Sequence, residues 1–64
     1  MKLCKVDDQN WINVGDGSIT SVVDVSSYER SRCLVNFVGG GQLVLGSRGE
    51  NVVKALENDG GFGR

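Results

Sequence analysis

The sequence predicts an α+β fold, mostly β: a small antiparallel sheet of about five short strands closed by one C-terminal amphipathic helix. Three observations carry that expectation. Ten glycines and no proline favour strands joined by tight turns. Runs rich in β-branched residues alternate with Asp, Asn, Ser and Gly clusters, which are turn chemistry. Near the end, the apolar spacing changes from alternation to helical periodicity.

Taken in order, Lys2 to Val6 reads as a strand and Asp7-Asp8-Gln9-Asn10 as the turn that ends it. Trp11 to Val14 completes a first hairpin, followed by the turn Gly15-Asp16-Gly17. Ile19 to Val25 and Arg32 to Val38 are the strongest strands, separated by the polar loop Ser26 to Ser31. Gly39-Gly40-Gly41 then turns the chain into Gln42 to Gly46. A three-glycine turn sets Val38 opposite Gln42, Phe37 opposite Leu43 and Val35 opposite Leu45. Placing Val25 opposite Cys33 aligns Val23 with Val35 and Ser21 with Phe37. One face then carries Ile19, Val23, Val25, Cys33, Val35, Phe37, Leu43 and Leu45, and the helix is expected to cover it.

Ser47 and Glu50 fit a capping box with Ser47 as N-cap. Val52, Val53, Ala55 and Leu56 supply an apolar stripe for a helix over about residues 48–58, and Asn58-Asp59-Gly60-Gly61 is a stop signal. Residues 1–59 therefore read as a single domain and 60–64 as a loose tail. The opposite sheet face holds Val22, Leu34, Val38 and Val44 among Thr20, Asp24, Asn36 and Gln42, more apolar than a solvated back. Either the Met1–Val14 hairpin folds over it or a second copy does. Trp11, Val22, Leu34, Val38 and Val44 are the expected interface residues.

Sixty-four residues make one domain, and a chain this short buries only roughly 60% of its unfolded surface. Small domains add disulfides, a metal or a partner to such a core. Two cysteines, Cys4 and Cys33, read as buried thiols in a reducing compartment rather than a disulfide framework. With no histidine and no C-x-x-C, neither a metal nor a cofactor is implied. A homo-oligomer in the cytoplasm is the expectation. No apolar run approaches the roughly 18 residues of a membrane span. Seven Lys and Arg against eight Asp and Glu, a net charge of −1, argue against duplex nucleic acid as partner.

Catalysis has poor material. Without histidine, no Ser-His or Cys-His pair can be assembled. Gly15-Asp16-Gly17 lacks the third glycine and following helix of a dinucleotide site, and Gly39-Gly40-Gly41 lacks the lysine of a P-loop. No enzyme is expected. The expected register instead brings Arg30, Arg32 and Arg48 to one end of the sheet, where the helix begins at Ser47, Arg48 and Gly49. Guanidinium groups and free backbone N–H donors there make an anion-binding corner, with Gly49 leaving room for a ligand. On a solvated rim the same arginines would pair with Asp24, Glu29 and Glu50. Tyr28, in a polar loop, could stack on a planar ligand or brace its own loop.

Ile12-Asn13-Val14 leading into Ser18 to Val23, Cys33 to Val38, a glycine turn, Gln42 to Gly46 and the helical Glu50 to Leu56 resemble small LytTR-type and FlbD-type bacterial domains. That resemblance implies a regulatory module binding DNA or a protein partner, although the chain lacks the basic loops with which LytTR domains hold DNA. In size and style it also resembles small bacteriophage accessory proteins, which implies a sponge for a cyclic nucleotide signal, or a defence blocker, in the host cytoplasm. The expected function is thus a non-enzymatic homo-oligomeric protein holding a phosphate-bearing, nucleotide-like ligand through Tyr28, Arg30, Arg32, Ser47, Arg48 and Gly49. A LytTR-like or protein-interaction module is the alternative.

Overall fold

The computed structural model describes residues 1–59; the expected tail at 60–64 and the glycines of the helix stop signal lie outside them. β1 (Leu3–Asp7), β2 (Asn10–Asn13), β3 (Ile19–Asp24), β4 (Cys33–Phe37) and β5 (Gln42–Leu45) form one antiparallel meander in sequence order. The α1 helix (Gly49–Asp59) lies on one face, against β3 and β4. The fold is α+β, mostly β.

Side chains end the first three strands. Asp7 Oδ1 accepts from the Gln9 amide at 2.8 Å, Asn13 Oδ1 from the Gly15 amide at 2.9 Å, and Asp24 Oδ1 from the Ser26 amide at 2.9 Å. Each is an acceptor reaching two residues on, which turns the backbone out of the ladder. Asn13 does more, since its Nδ2 donates to the Ile19 carbonyl at 2.7 Å and ties the Val14–Ser18 loop to β3.

The β1–β2 hairpin extends the sheet sideways through β2–β3 pairing and does not fold over the second face. That pairing places Trp11 opposite Val22, so the two side chains share a face. Both are buried inside this chain, Trp11 at 6% exposure and Val22 at 0%, which corrects their assignment to an intermolecular surface.

The β3–β4 register differs by one residue from expectation: Asp24 pairs with Cys33, Val23 with Leu34 and Val22 with Val35. An irregularity between Ile19 and Ser21 then shifts the pairing by one more residue, so that Ile19 and not Ser21 stands opposite Phe37. This bulge lets Ile19 and Val22, three apart, both face the helix, while Val25 is exposed. The local sequence supports either parity, because apolar residues stand at 19, 22, 23 and 25. Trp11 decides. Its side chain removes ~150–250 Å² from water, roughly 4–6 kcal/mol, against ~1.5–3 kcal/mol for one more valine inward.

The β4–β5 register is displaced by two residues, so Val35 rather than Phe37 faces Leu43, and Cys33 faces Leu45. A displacement of two preserves which face each residue occupies. It arises in the turn. The Gly40 amide donates to the Phe37 carbonyl at 3.1 Å, and the Phe37 amide to Gly41 at 2.8 Å, so the loop is Val38-Gly39-Gly40. Gly39 and Gly40 hold φ of 94° and 97°, the left-handed region that glycine tolerates. Val38 donates its amide to Ser18 at 2.7 Å and so prolongs the β3–β4 ladder.

The helix begins with Arg48 as N-cap, its carbonyl accepting the Val52 amide at 3.1 Å, and not with Ser47. Among the described residues, Ser47 and Glu50 form no capping box. Val52, Val53 and Leu56 enter the core with Leu3, Trp11, Ile19, Val22, Cys33 and Val35, whereas Ala55 stays exposed. The Leu3 amide donates to Glu57 Oε2 at 3.3 Å, tying the later half of the helix to β1. Cys33 is fully buried and Cys4 half-buried, both as free thiols. Leu56, 3% exposed, anchors the helix to the sheet. Leu56→Ala is expected to cost about 2–5 kcal/mol in urea unfolding, with the cavity left by the truncated side chain as the cause.

Candidate functional site

Beyond Asp24 and Cys33, β3 and β4 continue as a braced hairpin. The Val25 amide donates to the Arg32 carbonyl at 2.9 Å and the Ser27 amide to the Arg30 carbonyl at 2.8 Å. Ser26 locks the base: its Oγ accepts from the Arg32 amide at 3.0 Å and donates to the Arg32 carbonyl at 3.2 Å. These bonds leave Tyr28 and Glu29 at the tip. Val25, Ser27, Glu29, Arg30 and Arg32 line an open hollow of about 410 Å³. Tyr28 is fully exposed at 103%, so it does not brace its own loop.

The helix start is built differently from the expected anion corner. A Cβ added at Gly49 would lie 2.9 Å from Trp11 Cζ3, 2.9 Å from Asp24 Cβ and 3.3 Å from Asp24 Cα. Gly49 is buried, and its missing side chain admits the sheet, not a ligand. Asp24 lies against the helix start from across the fold. Its carboxyl is held below the ordinary carboxylate range, foremost by Ser26, then by the Gly49 amide and the Arg48 charge, against the opposing cost of burial. A carboxylate of the chain itself therefore lies beside the place where an anion was expected.

The expected site residues separate accordingly. Arg30 and Arg32 share the hollow, Tyr28 stands at the hairpin tip outside its lining, and Arg48 and Ser47 are exposed at the helix start and do not line it. Among the described residues, none of the three arginines is ion-paired with Asp24, Glu29 or Glu50. Of the remaining expected interface residues, Leu34 is half-buried, Val44 lies beside it at 56% exposure, and Val38 stands in the turn at 67%. Next to them runs a polar ladder, with Asn36 Nδ2 donating to Ser21 Oγ at 2.9 Å and Gln42 Nε2 to Asn36 Oδ1 at 2.8 Å.

Sequence reasoning missed the packing of Asp24 against the helix start and Val25, Ser27 and Glu29 as walls of the hollow. The Asp24-Val25-Ser26 turn had a local signal, an Asp followed two residues on by Ser; the approach of Gly49 had none, being twenty-five positions away. Among the described residues, no group of three or more Cys, Asp or Glu could hold a metal ion, and no helix is long and apolar enough to cross a membrane. Set against known protein families, curated proteins and solved structures, the chain finds no match.

Gly49→Ala tests the seating of the helix through its sign. In an open helix the change stabilises by ~1 kcal/mol, whereas here the contact with Trp11 and Asp24 is expected to reverse it to a loss of about 1–3 kcal/mol. Urea unfolding of the variant reads the difference. Because the Asp24 carboxyl titrates lower in the folded chain than at its ordinary 3.8, its contribution is complete above that value and disappears as pH falls through the depressed one. Asp7 is lowered too, through Gln9 and Asn10, so the contrast must be drawn against a variant. Asp24→Asn is expected to lower the urea midpoint at neutral pH and to flatten its decline on acidification; a decline as steep as wild type would remove Asp24 from this role.

Proposed function

We propose that this chain is a non-enzymatic, self-associating binding domain that holds an anionic, nucleotide-like ligand at the β3–β4 hairpin without turning it over. The observation that carries the proposal is the hollow lined by Arg30 and Arg32, with Tyr28 fully exposed at the tip of the same hairpin. Guanidinium groups offer paired N–H donors that match phosphate oxygens. Tyr28 offers an aromatic face for a base at small conformational cost. Glu29, also in the lining, gives an acceptor for a ribose hydroxyl or an exocyclic amino group. Two arginines and one glutamate leave the lining at +1, which suits a singly charged phosphodiester better than a triphosphate. The volume falls within the roughly 300–1,000 Å³ range of small-molecule sites. Cyclic nucleotides are therefore the first ligands to try, and sequestration of such a signal is the corresponding role.

A second reading, a protein-interaction module, is favoured by the uncovered sheet face with Ile12 and Val44 exposed on it. A native mass spectrum separates the two. A co-purified mass of a few hundred daltons supports the first, and a bare chain with captured protein partners supports the second.

Calorimetric titration against mono-, di- and cyclic nucleotides tests the proposal. Arg30→Ala and Arg32→Ala should each weaken binding roughly ten- to hundredfold, the loss of a charge-assisted bond worth ~1.5–3 kcal/mol. Arg48→Ala, outside the hollow, should leave affinity unchanged. Added salt should weaken binding, since exposed charges are screened over about 8 Å at physiological ionic strength. Absence of binding below millimolar concentration across the panel would refute the ligand.

A further inference from the structure

The two edges of the sheet are not alike. On β1, Lys5 and Asp7 put charge on the strand and an irregularity between them breaks the ladder, the usual protections of an exposed edge. On β5, Gln42-Leu43-Val44-Leu45 has no charge and no proline, and its pairing with β4 is unbroken. Leu43 and Val44, on opposite faces of the sheet, are 39% and 56% exposed. The helix packs on β3 and β4 and leaves the outer side of β5 open. The Phe37–Gly41 bond fixes the phase of the antiparallel ladder, so the backbone groups of Leu43 and Leu45 face β4, and those of Gln42 and Val44 face outward.

We propose that β5 is the surface through which two copies of this chain join, antiparallel about a two-fold axis at Val44. It rests on the self-associating part of the function proposed above and is independent of the ligand. An isologous edge must be complementary to itself, which an uncharged strand satisfies without like-charge contacts. Centring on Val44 sets Val44 against its own copy, Leu43 against Leu45 of the second copy and Gln42 against Gly46, so each apolar side chain meets an apolar one. Centring on Leu43 would put Val44 against Gln42, and centring on Gln42 would put Leu43 against Gly41. The Val44 register also matches the outward backbone groups, since Gln42, Val44 and Gly46 are in phase. Main-chain bonds across the axis join the two meanders into one continuous sheet and take Leu43 and Val44 out of water on its two faces.

Sedimentation equilibrium of the full chain at micromolar concentrations tests this. Wild type should sediment at twice 6.8 kDa. Val44→Lys, which would bring two positive charges together at the axis, should halve the mass while leaving the circular dichroism spectrum unchanged. Leu43→Lys, on the other side of the same strand, is the second variant should Val44→Lys fail to fold. Ile12→Lys, on the uncovered face but away from β5, should leave the dimer intact. A dimer that survives the β5 variants and dissociates with Ile12→Lys overturns the edge in favour of face packing, and self-association stands. A wild type that is monomeric throughout overturns both the edge and self-association, while the ligand titration remains a separate test.

Discussion

The contact between Gly49, Trp11 and Asp24 is the constraint on which the rest of the structure depends. Five strands about 4.8 Å apart make a sheet roughly 19 Å wide, while a helix with its side chains is only about 10–12 Å across. One helix cannot cover such a sheet, so its placement decides which strands are buried. Packing Gly49 so closely that an added Cβ would lie 2.9 Å from the Trp11 ring seats the helix on the centre of the sheet. Trp11, the largest side chain available, then widens the core toward β1 and β2, and Leu3 is buried beside it. The far side has no equivalent filler. Leu43 consequently remains exposed on the same face as the buried Val35 it pairs with.

That seating also determines where anion chemistry can reside. A helix start has unpaired N–H groups and a partial positive charge, and in an open position it would attract a phosphate. Here Asp24 lies beside it, held in place by the Ser26 amide at the base of the hairpin. The same residue thus ends β3, shapes the loop that follows and packs against the helix start. Positive charge is left on Arg30 and Arg32, which stand on a hairpin braced by the bonds of Val25 and Ser26 to Arg32 and of Ser27 to Arg30.

Much of the architecture was legible because short-range chemistry specifies it. Strand and helix existence followed from β-branched runs, glycine turns and the Val52, Val53, Leu56 spacing, all of which act within a few residues. Register was less legible. Between Ile19 and Val25, apolar residues occupy both parities, and only the distant Trp11 selects Val22 for the core. In the β4–β5 turn, three consecutive glycines permit more than one loop, and the bond from Val38 to Ser18, just before β3, accompanies the one adopted. The expected meeting of three arginines depended on those registers, and the hollow retains two of them.

The sequence by itself determined the number and order of elements, the turns, the helical stripe and the lack of material for histidine-dependent catalysis. Tertiary structure decided the parity of β3, the packing of the helix start against Trp11 and Asp24 and the exposure of β5. The physical reason is one of range. Turn geometry and helical periodicity depend on neighbours within a few residues, whereas the burial of Trp11, the approach of Gly49 to Asp24 and the reach of one narrow helix over a wide sheet exist only once distant segments are packed together.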